Sequence, residues 1–301
     1  MKFRSSLLLS SLLLPLAATA EPWLRIEQPT AALRAQLPAH AIDYGSFIWM
    51  PAAAAPTGVL GARVQRSEQP FALVIDGEPV DPLQMPASNN PWWQANSVSG
   101  GDFRLVQLYG PPRVQDLAEL RAANVRPVRY LAPFSYVVWS TRAELDGLSA
   151  RSGAVRWAGD LLPAQRVPPQ SREWPAGPTR AMALVDAASA DDVIAALIAL
   201  PAQRVERTSL TSDLTLIELE LSGSDYLSAA HVPGVYTLQH IDSGGGPRGE
   251  MSNQSIVGGI NGGGSVVPGY VDWLTPTGLS GAGVKVSIVD GGIRTTHADL
   301  A

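Results

Sequence analysis

The residues best placed to do chemistry lie near the end of the sequence. The run Val284–Val289 leads into Asp290, Gly291 and Gly292, with His297 and Asp299 close behind. β-Branched residues favour a strand, and this run is almost continuously apolar, as in a parallel strand buried on both faces. Asp290 falls just past its carboxyl end, where open α/β sheets carry reactive groups. Gly291 and Gly292 let the backbone turn there without a Cβ clash. Taken alone, a carboxylate so placed is more often a turn residue than a catalyst. His297, seven residues from Asp290, reads as structural or surface-exposed rather than as a base. The other histidines, His40, His231 and His240, have no motif around them, and no pairing among the four has metal-ligand spacing. There are no cysteines, which excludes disulfides, thiolate metal sites and a cysteine nucleophile.

One strand and a turn cannot bury their own apolar faces, so residues 271–301 read as the start of a domain. Upstream lies an internal repeat, offset by nearly 80 residues. The first copy is placed at 102–165. It runs through a strand at Phe103–Tyr109, a helix with Val114, Leu117, Ala118 and Leu120 at helical spacing, and strands at Pro127–Leu131 and Tyr136–Trp139. A helix opened by the Thr141-to-Glu144 capping box and a strand at Ala154–Trp157 complete it. The second copy, 178–242, repeats the order: strand Ala181–Val185, a helix led by Asp191 and Asp192, strands Gln203–Thr208 and Leu214–Leu221, a short helix from Ser224, and strand Val235–Leu238. The pattern β-α-β-β-α-β is the ferredoxin-like arrangement. The expected class is therefore α+β: two tandem ferredoxin-like modules, then the first strand of a truncated α/β domain.

Residues 1–20 have the form of a secretory signal: Lys2 and Arg4, a Leu-rich core over Leu7–Leu16, and Ala18-Thr19-Ala20 as cleavage site. That core is too short to span about 30 Å of hydrocarbon, so the expectation is a secreted protein, in the periplasm, at the cell surface or outside the cell, with no membrane partner. Residues 21–101 read as a β-rich or irregular region with strands near Tyr44–Trp49 and Phe71–Ile75, the latter followed by an Asp76-Gly77 turn. Trp92-Trp93 could form a carbohydrate platform, but adjacent tryptophans more commonly anchor a core or loop. Residues 243–270 form a Gly-rich linker, the expected site of maturation cleavage; Asn253-Gln254-Ser255 within it matches a glycosylation acceptor. Net charge is −5, and no basic stripe points to nucleic acid. Lys2 and Lys285 are the only lysines, so nearly all the cationic side chains are arginines.

The stretch Gly278–Ile293 with His297-Ala298-Asp299-Leu300 resembles the first catalytic block of the subtilisin-like serine proteases, G-x-G-V-x-V-A-V-x-D-S/T-G-I followed by H-x-D-L. Gly291 stands where the family usually has Ser or Thr. The resemblance implies that Asp290 is the acid of an Asp-His-Ser triad, holding the imidazole that takes the proton from the attacking serine. It implies calcium at Asp299, as a structural ion of the complete enzyme, since one carboxylate is a fragment of a calcium site. No other cofactor is expected. The His and Ser blocks of the family are absent from the 301 residues, so this chain is expected to be inactive as a peptidase. Family propeptides resemble the ferredoxin-like fold, and the stretches Leu105–Pro111, Tyr130–Trp139 and Val155–Trp157 look like the tandem pro-region ahead of some secreted bacterial members. Expected partners are protein or peptide substrates and the contact between pro-region and peptidase domain. The alternative, from another class, is a non-catalytic secreted inhibitor or chaperone of such a protease.

Overall fold

The computed structural model describes residues 21–38, 40–56, 63–85, 87–95, 97–172, 177–200 and 202–241, and beyond them 258, 273–278 and 283. The chain divides into a unit over Met1–Asp242 and a second over Ser243–Ala301. In the second unit the described element is one 3-10 turn, Thr275–Thr277, closed by Gly278 at φ 68°. The first unit is α+β, built from antiparallel sheets, and the class expected from the sequence holds.

The unit opens with a four-stranded sheet made of β1 (Trp23–Glu27), β2 (Ile42–Asp43), β3 (Phe47–Pro51) and β4 (Val64–Ser67), in the order β2-β3-β1-β4. A four-residue helix, α1 (Ala31–Arg34), comes after β1 and is capped by the Thr30 side chain. Side chains alternate across a strand, and here both faces are buried. Leu24, Ile26, Ile48 and Met50 pack beneath Leu33 and Leu37, while Trp23, Phe47 and Trp49 form an aromatic layer with Phe71. Two hydrogen bonds pin that layer to residues 109–111: Trp49 Nε1 donates to Tyr109 O at 2.8 Å and Tyr44 OH to Pro111 O at 2.7 Å. A Cβ on Gly110 would lie 2.7 Å from Tyr44 OH, so only glycine permits this approach. Burial raises the Tyr44 hydroxyl to about 12.

Next comes a hairpin, β5 (Leu73–Ile75) with β6 (Glu78–Val80), turned by Asp76 and Gly77 at φ 55° and 85°. Positive φ at both positions is the geometry two-residue hairpins prefer. Two 3-10 turns, Pro82–Gln84 and Pro91–Trp93, carry the chain onward.

The first repeated set comprises β7 (Asp102–Leu108), α2 (Val114–Ala122), β8 (Arg126–Leu131), β9 (Ser135–Ser140), α3 (Arg142–Arg151) and β10 (Val155–Asp160), with sheet order β10-β7-β9-β8. Thr141 caps α3 through the reciprocal box read from sequence, Thr141 N donating to Glu144 at 2.8 Å and Glu144 N to Thr141 Oγ1 at 3.3 Å. Two short helices, α4 (Pro163–Arg166) and α5 (Pro169–Arg172), connect to the second set: β11 (Pro178–Asp186), α6 (Ala190–Ala199), β12 (Gln203–Ser209), β13 (Leu214–Ser222), α7 (Tyr226–Ala230) and β14 (Val235–His240). Their sheet order is β12-β13-β11-β14. Numbered within each set, both sheets read 4-1-3-2, with every neighbouring pair antiparallel. In each, one face packs against the helices: Val106, Leu108 and Val138 against Leu120, Leu145 and Leu148 in the first, Ala181, Ala183 and Ile217 against Val193 and Leu197 in the second. Among the described residues, no helix is long and apolar enough to cross a membrane.

Candidate functional site

Asp290, His297 and Asp299 lie outside the described residues, as do the signal-like segment and the Gly-rich linker apart from Gly258. The remaining histidines sit apart. His231 Nδ1 is hydrogen-bonded to Leu227 O at 2.8 Å, within its own helix turn. His40 lines a cavity of about 460 Å³ with Tyr109 and Ser152, where no carboxylate is found among the described residues. The His240 amide donates to Ser171 Oγ at 3.1 Å. Among the described residues there is no group of three or more His, Cys, Asp or Glu able to hold a metal ion.

Arginine–aspartate pairs concentrate instead where segments meet. Arg166 and Asp102 are each 2 % exposed. Arg166 donates to both Asp102 oxygens, at 2.8 and 3.2 Å, and to the carbonyls of Leu161, Phe103 and Val235. Asp102 also accepts from Gly234 N at 2.9 Å. Gly234 holds φ 88° with Val193 and Ser189 within 3 Å of where a Cβ would stand, so the loop reaches Asp102 only as glycine. One buried cation thus ties β7, the α4 connector and the start of β14. The planar guanidinium suits this task, because its five donors can be shared among a carboxylate and several carbonyls. A second tie is Arg126 at the start of β8, bridging Asp186 and Asp213 of the second set.

The 71–93 segment is held in the same manner. Arg172 donates to Asp76 at 2.6 and 2.8 Å, and Arg156 to Asp81 at 2.7 and 2.8 Å. Gln107 Nε2 donates to Phe71 O at 2.9 Å, and the Arg156 guanidinium lies 4.1 Å from the Phe71 ring centroid. The tryptophan pair belongs to this anchoring: Trp93 Nε1 donates to Asp76 at 3.2 Å, Arg172 sits over Trp92, and both rings pack on the core of Leu73, Ile75, Phe103 and Leu105. Their packing is that of core anchors, half-buried against this cluster.

The hydrogen bond from Arg172 holds the Asp76 carboxyl below the usual range, with its charge and Trp93 adding to the effect against burial. A carboxylate lowered in the folded state contributes stability above its unfolded value and loses it as pH falls through the folded one. Asp76→Asn should therefore lower the denaturation midpoint at neutral pH. The gap from wild type should hold down to about pH 5 and close as pH falls below the unfolded value of about 4 and through the lowered folded one. A pH-independent gap in urea titrations would show that the carboxylate charge is immaterial.

These ties escape the sequence because each joins residues far apart in the chain, and no local pattern pairs the two partners. The arginine excess over lysine is the one signal that points towards them.

A family model described as a domain of unknown function (DUF8729) matches residues 74–162, from within β5 to just past the first repeated set. No curated protein and no solved structure matches the chain.

Proposed function

We propose that this chain is the secreted precursor region of a subtilisin-like serine endopeptidase: signal peptide, tandem ferredoxin-like pro-modules, and the opening of the peptidase domain with Asp290 as triad acid. The observation that carries the reading is the Gly278–Leu300 block. The order β-α-β-β-α-β, found twice with the 4-1-3-2 strand order, supports it, since that is the ferredoxin-like arrangement. Fold alone does not fix function; the weight rests on the terminal block.

The roles come from chemistry. Asp290 orients the base and stabilises its protonated form; alone it supplies no acyl transfer, and loss of a triad member costs about 10⁴-fold or more. Calcium at Asp299 belongs to the complete enzyme, as a structural ion. Residues 21–242 fold ahead of the peptidase domain and restrain it. A second reading, a non-catalytic inhibitor or chaperone acting in trans, is favoured by the arginine–aspartate ties that close the first unit upon itself.

The test uses the chain without its first twenty residues. It should inhibit a subtilisin-like protease at micromolar concentration and cleave no peptide itself. Absence of inhibition sinks both readings of the modules. Cleavage abolished by Asp290→Ala would overturn the expectation of inactivity.

A further inference from the structure

The two sheets share a topology but differ in what lies on the face away from their helices. In the first, that face carries Phe103, Leu105, Gln107 and Val137, none more than 3 % exposed. The β5–β6 hairpin covers it, Leu73 and Ile75 pointing in, 1 % and 4 % exposed, with Val74 out in solvent. Asp76 in the hairpin's turn and Asp81 just past β6 are clamped by Arg172 and Arg156. In the second sheet the corresponding face carries Arg180, Met182 and Leu184 on β11 and Leu216, Glu218 and Glu220 on β13. None of these is buried.

We infer that residues 71–93 are a built-in strap that permanently occupies the sheet face of the first module, leaving recognition of a partner to the open face of the second. The repeated modules are then divided in role, one a self-sealed scaffold and the other a binding surface. The family match is consistent with the first half: its 74–162 span runs from within β5 through β6 and the first sheet as one stretch. The strap also shows what such a face accepts, an apolar centre with charged flanks. On the first module the body supplies arginines and the strap aspartates. On the second, among the described residues, Glu218 pairs with Arg180 and Glu220 with Arg204, both well exposed, and Glu206, opposite Glu218 in register, has no ion pair. The face therefore suits a protein surface with an apolar patch flanked by arginine or lysine. Identifying that surface as the peptidase rests on the function proposed above.

Because the chain has no cysteine, single cysteines report each face directly. In the chain without its first twenty residues, Val137→Cys should react with a bulky maleimide roughly 100-fold more slowly than Met182→Cys, since labelling must await local opening. Adding Asp76→Lys and Asp81→Lys should release the strap and speed Val137→Cys labelling, with circular dichroism confirming that the sheets persist. Equal rates at Val137→Cys and Met182→Cys, or no acceleration on strap release, overturns the strap. The second arm is protease inhibition: Met182→Arg should weaken it at least ~10-fold, an unpaired charge at a buried interface costing that much or more, and Asp81→Asn should leave it unchanged. If wild type inhibits and Met182→Arg inhibits equally, the division of roles is wrong. If wild type does not inhibit, the proposed function and the recognition clause fall together, while labelling still decides the strap.

Discussion

Replacing Arg166 with methionine is expected to cost about 3–5 kcal/mol, the penalty for stranding a buried charge. Asp102 would keep the Gly234 and Phe103 amides but lose its paired cation. The carbonyls of Leu161, Phe103 and Val235 would each lose a donor in a site closed to water. Arg166 reaches β7 and the start of β14 at once, so the loss should do more than lower a midpoint. The two sheets should begin to unfold in separate steps, visible as a broadened or biphasic urea transition. The double variant Asp102→Asn/Arg166→Met should be less damaged than the sum of the singles, because it leaves no uncompensated charge. Arg180→Met provides the contrast: its pair with Glu218 is exposed, and such pairs contribute about 0–1 kcal/mol. An Arg166→Met chain as stable as Arg180→Met would show that the latch holds nothing.

The contrast between that latch and the elements around it shows what a sequence can reveal. β13 alternates buried and half-exposed residues from Leu214 to Ser222; that period of two is plain in Ile-Glu-Leu-Glu-Leu, whereas Thr215 is buried and Leu216 half-exposed against their polarity. The Thr141 cap and the Asp76-Gly77 turn are local chemistry and equally plain. β1 is harder to read, because Trp-Leu-Arg-Ile-Glu is only five residues long and its Leu-Arg-Ile-Glu alternation covers just two apolar positions. β4 is a polar edge with no apolar face to read. The α4 and α5 turns carry no periodicity, yet they bring Arg166 and Arg172 into place. Residues 71–93 are legible as a strand and a turn, but not as a cover, because what they cover lies further along the chain. The α+β class can be argued from periodicity. The Asp102–Arg166 tie joins residues 64 apart, each in an unremarkable setting, and only packing reveals it. Asp290 is the reverse case, conspicuous in sequence and outside the described residues.

Phe103→Ala is expected to produce the other large loss, about 3–5 kcal/mol for an aromatic side chain removed from a closed core. The ring is fully buried, with centroids 5.1 Å from Trp139 and 5.2 Å from Tyr236. Those neighbours come from β9 and β14, and the same cluster holds Leu73 and Ile75 of the hairpin. Phe103 is therefore the side chain at which strap, first sheet and second sheet meet, and a cavity there cannot be filled by any one of them moving alone. Phe103→Leu, which keeps much of the volume, should cost less than half as much, because transfer and cavity penalties both scale with the atoms removed. Val114→Ala, at a side chain 88 % exposed, should be neutral in the same urea titration. Stability is one readout; the strap is the other. Loss of the ring should also quicken maleimide labelling of Val137→Cys, whose β9 position lies on the same covered face. A Phe103→Ala chain that loses less than about 1 kcal/mol, or that loses stability with Val137→Cys still fully protected, would mean that the hairpin and the second sheet are held by their arginines and not through this aromatic centre.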